Sequence, residues 1–311
     1  MSTHQKDGTI TSRVYSRIGL LGNPSDGFQG ACLSLSLANF WAEAMTLVFF
    51  EHCRQHGISL PPGASNFSLS YTTTIPRQRG LSGSSAIATA ALNCLLRHFS
   101  LEAAIPPADR PQLVLAAEAE LGIAAGLQDR VIQVYGGLVH MDFSAEATST
   151  LGRGRYTSLD PALLPPLWLI YSKAVPPGKD SGRVHASVKQ LWLQGDAATR
   201  EAMQHIARLA QAGRMALDQQ KWHVLAALMS RNFQLRRQLY GDAVVGAQNL
   251  AMVAAAESVG AAGKLTGSGG AVVALCPEGA EQAERLRAAC AVAGFECVPV
   301  QVGPALHQAS D

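Results

Sequence analysis

The sequence predicts an α+β fold in two domains, one over residues 9–160 and the other over 165–303. Three observations lead there. Strand and helix patterns alternate along the chain, and the last portion reads strand, helices, strand, helix, strand, the order of an α+β sandwich. A polar, proline-rich stretch at 144–166, with Pro161, Pro165 and Pro166, divides the chain as an interdomain boundary does. Two glycine-rich loops, at 80–85 and 267–270, fall one on each side of it.

The elements follow in order. Residues 10–22 carry the strand formers Ile10, Thr11, Val14, Tyr15, Ile18 and Leu20. Gly-Asn-Pro-Ser-Asp-Gly at 22–27 is dense turn chemistry, and a second strand covers about 31–40. Met45, Val48, Phe49 and Cys53 recur at three-four spacing, which predicts a helix over 43–56, and 67–73 alternates like a strand. Glycine and serine crowd 80–85, and a helical pattern starts at once with Ile87, Ala91, Cys94, Leu95 and His98. Another helix covers 111–121, opened by Pro111 in its first turn and stopped near Gly122. The next runs from about Leu127 to Tyr135 and ends at Gly136 and Gly137, before a strand at 138–143. Beyond the boundary come a strand at 167–171, two or three helices over about 184–262, and a strand at 271–276 behind the second glycine loop. A helix with Ala283, Leu286, Cys290 and Ala293 on one face precedes a closing strand at 295–300.

Composition narrows the class of function. Of the 311 residues 48% are hydrophobic and 15% charged, enough apolar surface for a sizeable core and against disorder. A net charge of +2, from 25 basic and 23 acidic side chains, gives no electrostatic case for nucleic acid or membrane partners. No stretch approaches the roughly 20 apolar residues that cross a bilayer, and the first residues lack an apolar signal core. The six cysteines form no Cys-x-x-Cys pair and several sit in apolar stretches, as reduced core thiols of a cytoplasmic protein do.

The chemistry concentrates in the first glycine loop, Gly80-Leu-Ser-Gly-Ser-Ser85. Glycines let backbone approach a polyphosphate. The free N–H groups and macrodipole of the following helix attract the anion. Serine hydroxyls donate to phosphate oxygens, and one can ligate Mg²⁺. An ordinary serine helix cap explains the same residues. The loop is neither a Walker A sequence nor a dinucleotide fingerprint. Lys264-Leu-Thr-Gly-Ser-Gly-Gly270 alone reads as a tight turn, but two such loops suggest an anion site shared between domains. Phosphoryl transfer also uses carboxylates. Glu118 lies in a helix of mainly Leu, Val and Ala, and Asp129 near the start of the next helix. A solvated helix position accounts for Glu118 as well, its spacing does not separate it from Glu120, and Asp129 also suits a helix dipole.

Together these segments resemble the superfamily of galactokinase, homoserine kinase, mevalonate kinase and phosphomevalonate kinase (GHMP kinases). Within it the chain is similar to the glucuronokinases best known from plants. The resemblance rests on Arg17-Ile-Gly-Leu-Leu-Gly-Asn-Pro-Ser-Asp26, Asn66-Phe-Ser-Leu-Ser-Tyr71, Ile75-Pro-Arg-Gln-Arg-Gly-Leu-Ser-Gly-Ser-Ser-Ala86, the segment from Gly126 to Phe143 and the glycine loop from Lys264 to Leu275. It implies a two-domain GHMP kinase fold: an N-terminal domain like domain 2 of ribosomal protein S5 and a ferredoxin-like C-terminal domain, with ATP between them. It implies transfer of the γ-phosphate to the anomeric hydroxyl of D-glucuronate, with ATP and Mg²⁺ as cofactors and a small sugar acid as the only other partner. On the matching positions, Asp129 is the proton acceptor and Arg17 the basic residue that favours an ionised acceptor. Ser85 and Glu118 are the Mg²⁺ ligands. Pro76, Arg77, Gly80, Leu81, Ser82, Gly83, Ser84, Ser85 and Ala86, with Thr266, Gly267, Ser268 and Gly269, hold the nucleotide. Asn23, Asp26, Arg130 and Gly267 face the sugar.

Arg130 stands where neutral-sugar kinases of this kind often have Gln, and arginine grips a carboxylate bidentately. It therefore reads as a clamp on an acidic sugar or as a salt bridge orienting Asp129. The segment Ser181-Gly-Arg-Val-His185 is a second candidate to reach the sugar. One departure stands out: after Phe40-Trp41-Ala42 the family carries tens of further residues that this chain lacks. A related acceptor such as galacturonate, or a non-catalytic sugar-binding homologue, are the alternatives.

Overall fold

The computed structural model describes residues 10–43, 53, 57, 58, 60, 69–120, 126–173 and 181–309. The strand formers near the start build β1 (Val14–Leu21), which pairs antiparallel with β2 (Ala31–Glu43). β2 continues to β4 (Leu138–Asp142) and β4 to β5 (Arg155–Leu159), while the short β3 (Thr72–Thr73) joins the end of β2. β1 is buried at almost every position because α1 (Gly83–His98), α3 (Gln128–Tyr135), α6 (Ala197–Asp218) and α7 (Trp222–Tyr240) all pack on it. Helix α2 (Arg110–Glu120) packs against α1 and α3.

The second sheet has the order β7 (Ala262–Leu265), β8 (Ala271–Leu275), β6 (Leu167–Tyr171), β9 (Glu296–Pro299), with every pair antiparallel. That is the ferredoxin-like order. Helices α9 (Ala247–Glu257) and α10 (Ala280–Val292) cover it through a core that includes Ile170, Val272, Met252, Val253 and Leu286. β7 and β8 form a hairpin whose connection is the second glycine loop.

The polar stretch at 144–166 is more than a linker. Ser144 caps α4 (Ala145–Leu151), accepting from the Ala147 N–H at 3.2 Å, and β5 follows. Residues 160–166 make the crossing, including a 3₁₀ turn at Pro161–Leu163. Among the described residues, five helices, not two or three, fill the region after β6: α5 (Ser181–Leu193), α6, α7, α8 (Asp242–Val245) and α9. Glycines 195, 241 and 246, all at positive φ, divide what periodicity alone runs together. β7 is too short to read from the sequence: four residues, Ala-Gly-Lys-Leu, with no β-branched or aromatic side chain. The alternation at 67–73 yields only Thr72–Thr73, residues 67 and 68 lying outside the described residues. Glu43 extends β2 instead of opening a helix; of the helix expected over 43–56, Cys53 is described and is helical, and 44–52 and 54–56 lie outside. All six cysteines are free, five of them buried. Among the described residues no helix is long and apolar enough to cross a membrane.

Residues 299–309 return to the first sheet. β2 bulges between Leu37 and Trp41, and there the Ala38 N–H donates to the Gln301 carbonyl at 2.7 Å and Asn39 bonds both Pro299 and Gln301. Leu37 then bridges Val302, and Gly136 bridges Ala305.

The two sheets are also tied at Lys264 on β7. Its buried amine donates to the Gly19 carbonyl and Asn23 Oδ1, each at 2.6 Å, and to the Leu265 carbonyl at 2.8 Å. Burial pushes its pKa well below that of a free lysine. Lys264→Met removes the donor from all three acceptors, so the free energy of unfolding should fall by about 3 kcal/mol, read as a lower urea midpoint at unchanged m.

Candidate active site

Gly80 lies at φ +59°, and a Cβ there would come within 2.5 Å of the Gly269 carbonyl oxygen. Only glycine tolerates both conditions, so the two glycine loops touch. Thr266 Oγ1 donates to the Gly80 carbonyl at 3.1 Å, and the Gly270 N–H is held by Asn249 Oδ1 at 2.8 Å. Helix α1 begins at Gly83, and the preceding Ser82 sits left-handed at φ +62° with no side-chain capping bond. Its hydroxyl donates instead to Asp129 Oδ2 at 2.7 Å. The helix-cap explanation therefore fails for Ser82.

Arg17, on β1, joins every part of the cleft floor. Its Nε donates to Asp129 Oδ1 at 2.5 Å and a terminal nitrogen to Oδ2 at 3.0 Å. The other terminal nitrogen donates to the carbonyls of Gly80, at 2.6 Å, and Thr266, at 3.1 Å. Burial works against ionisation of Asp129, but the Arg17 guanidinium, followed by Arg130 and the Ser82 hydroxyl, outweighs it and holds the carboxyl at about 2. Asp129 thus sits in the first turn of α3, but the helix dipole is not its main partner.

Glu118 is buried, whereas Glu120 on the same helix is exposed. Glu118 Oε1 accepts from Ser84 at 2.8 Å, and both its oxygens accept from Ser85 at 3.0 Å. Arg130 closes the cluster: its Nε donates to Glu118 Oε2 at 2.7 Å, one terminal nitrogen to the same oxygen, and the other to the Gly126 carbonyl at 2.7 Å. Its approach to Asp129 is only 4.0 Å. Arg130 lines the cleft and makes a long ion pair with Asp129, but its short contacts are spent on Glu118 and the Gly126 carbonyl.

The opposite wall is the turn after β1. Gly126 packs on Asp26 so closely that a Cβ would strike the carboxylate. Asp26 Oδ2 accepts from the Gln128 N–H at 3.2 Å. Burial, with the charge of Asp129 adding, raises Asp26 to about 6. Asn23 faces the cleft but spends its side-chain oxygen on Lys264. The cleft encloses about 960 Å³, and Arg17, Asn23, Pro76, Arg77, Asp129 and Arg130 line it together with residues 80–85, Asp26, Gly267 and Ser268. Four expected site residues do not line it. Ala86 is a core residue of α1, Glu118 lies behind the serines, and Thr266 and Gly269 back the second loop. The side chains of 181–186 lie outside the described residues, but Lys189, Gln190 and Leu193 of the same helix line the cleft, as does Arg236 of α7. None of these four stood out in the sequence.

The Glu118–Arg130 pair is about 2% exposed on each side. Removing one partner leaves a buried charge without compensation. Glu118→Gln should therefore destabilise the fold by about 3–5 kcal/mol in denaturant titrations, and adding Arg130→Met should restore part of the loss.

Two family models match the chain: GHMP kinases N terminal domain over residues 42–137 and GHMP kinases C terminal over residues 215–293. The chain is 45% identical to Glucuronokinase 1 of Arabidopsis thaliana, covering 100% of this chain and 98% of that protein. It is 44% identical to Probable glucuronokinase 2 of the same organism, covering 98% and 94%. The first alignment spans 359 positions against the 311 residues here, so the relative carries residues opposite gaps in this chain. Among solved structures, galactokinase of Lactococcus lactis complexed with galactose superposes with a TM-score of 0.72 at 14% identity, covering 95% of this chain and 94% of that one. The Lin0012 protein of Listeria innocua reaches 0.77 at 14% identity, covering 94% and 98%. These structural likenesses speak for the fold, and the sequence identities, over nearly the whole of both chains, place this protein in the GHMP kinase family among the glucuronokinases.

Proposed function

We propose that the chain transfers the γ-phosphate of ATP to the anomeric hydroxyl of D-glucuronate, giving D-glucuronate 1-phosphate, in a cleft between domains spanning 9–160 and 165–303. The observation that carries this reading is the knot of Arg17, Asp129 and Ser82 at the floor of a cleft lined by both glycine loops. The identity to proteins named glucuronokinases supports the acceptor. The free and mostly buried thiols support a cytoplasmic setting.

The acceptor oxygen forms a bond to the γ-phosphorus as the bond to the β,γ-bridging oxygen breaks. Its proton goes to Asp129. A carboxylate held at about 2 is a weak base at neutral pH, so it takes the proton late, once bonding to phosphorus has made the hydroxyl acidic. Arg17 offsets negative charge on the acceptor oxygen, and the N–H groups opening α1 face the transferred phosphate. Ser85 and Glu118, with Ser84 beside them, would hold Mg²⁺: one carboxylate and hydroxyls are the hard oxygen donors this ion takes alongside phosphate oxygens. Bound there, it neutralises charge on the donor phosphates. Arg130 keeps the Glu118 carboxylate oriented, and Asp26 accepts from sugar hydroxyls.

A coupled kinase assay over hexoses and uronic acids tests the reading. D-glucuronate should give the highest kcat/KM; preference for galacturonate would move the acceptor, and sugar binding without turnover would indicate a non-catalytic homologue. Asp129→Asn should cost about 10³-fold in kcat with KM within a few-fold, since it removes charge but keeps shape. The pH profile should separate the two aspartates. Asp26, raised to about 6, loses acceptor capacity as pH falls through 6, so KM for the sugar rises there. Asp129 stays ionised to about 2 and leaves kcat flat over the same range.

A further inference from the structure

Three arginines deep in the cleft, at 17, 130 and 236, differ in what they hold. Arg17 is committed to Asp129 and two carbonyls, and Arg130 to Glu118 and Gly126. Arg236 is 4% exposed, and one terminal nitrogen donates to the Gly267 carbonyl at 2.8 Å. Its guanidinium carbon lies 5.5 Å from the centre of the Tyr240 ring. Among the described residues no carboxylate lies within 4.0 Å of it. A buried guanidinium with only neutral partners has lost hydration without gaining a counter-charge.

Its position in the helix explains where it points. Asn232, one turn earlier on α7, accepts from the Gly22 N–H at 2.9 Å and donates to the Asn23 carbonyl at 3.2 Å, gripping the turn that carries Asp26. Residues four apart share a helix face, so Arg236 comes up beside that turn and lines the cleft. On the other side it abuts Gly267, whose Cβ position would be 2.5 Å from Arg17. Arg236 is therefore separated from the Arg17–Asp129 pair by the width of one glycine. In a uronic acid the anomeric carbon and the carbon bearing the carboxylate flank the ring oxygen, so the two groups lie two ring positions apart. With the hydroxyl at Asp129, a carboxylate two ring positions away falls across Gly267 from it, on the side where Arg236 lies.

We infer that Arg236 is the specificity-determining residue that takes the carboxylate of the sugar acid. The inference rests on the proposed uronate kinase activity and replaces Arg130 in that task. The planar fork of arginine suits a carboxylate, and the ligand supplies the counter-charge that the described residues do not. Lys189 borders the same end of the cleft, but its amine is already bonded to the Gly27 carbonyl and sits 5.0 Å from the ring centres of Phe28 and Trp192.

The test compares the full-length wild type, Arg236→Gln and Arg236→Lys on D-glucuronate and on D-glucose, which has CH₂OH in place of the carboxylate. For Arg236→Gln, the ratio of kcat/KM on glucuronate to that on glucose should fall about 100-fold, mainly through KM. Arg236→Lys should recover part of the ratio, because it restores charge without the fork. A proportionate loss on both sugars in both variants overturns the inference while leaving the glucuronate activity standing. Should the glutamine variant fail to fold, which a thermal melt reveals, the lysine variant decides: an unchanged ratio overturns the inference. A wild type that prefers glucose, or turns over neither sugar, overturns both readings, an outcome distinct from a proportionate loss in the variants.

Discussion

The contact on which the cleft depends is the paired hydrogen bond between Arg17 and Asp129. Arg17 belongs to the first strand and Asp129 to a helix more than a hundred residues later, and the same guanidinium also holds the carbonyls of both glycine loops. One side chain therefore sets the spacing of four segments. Its charge also keeps Asp129 ionised against the effect of burial, so positioning and protonation are governed together. A neutral hydrogen-bonding side chain at position 17 would keep some of the geometry and lose the electrostatics.

Asp129 and Arg130 are neighbours in sequence with separate tasks. Consecutive helical residues point about 100° apart, so α3 aims Asp129 at the floor of the cleft and Arg130 at Glu118 behind it. The result is two ion pairs side by side, one facing the reacting atoms and one backing the serine hydroxyls. Direct ion pairing across the set is limited to a 4.0 Å approach between Arg130 and Asp129.

Much of this was legible in the sequence because it is local. The composition of residues 80–85 announces a backbone that must come close to something, and Glu118 and Asp129 are acids in apolar helical surroundings. What could not be read is tertiary. Nothing in the sequence near Arg130 says that its partner lies twelve residues earlier. Arg236 and Arg237 are adjacent and chemically identical, yet Arg237 pairs with Asp242 in solvent while Arg236 is buried against Gly267. Only the packing of α7 against the turn at 22–23 distinguishes them. The helix count after β6 was missed for a different reason: single glycines at 195, 241 and 246 break three of the junctions without disturbing the apolar period, whereas the four residues of β7, Ala-Gly-Lys-Leu, are too few and too poor in strand formers to carry a strand signal.

The return of residues 299–309 to the first sheet bears on how the chain is made. Among the described residues, the bulge in β2 bonds to Pro299 and Gln301, and the end of α3 and the strand β5 are joined by residues 304–309. On a ribosome, residues 14–159 emerge long before these partners exist. The first sheet must wait, incompletely paired at its bulge, until nearly three hundred residues have been translated. Contacts of such wide sequence separation slow folding and favour completion after synthesis over folding one domain at a time.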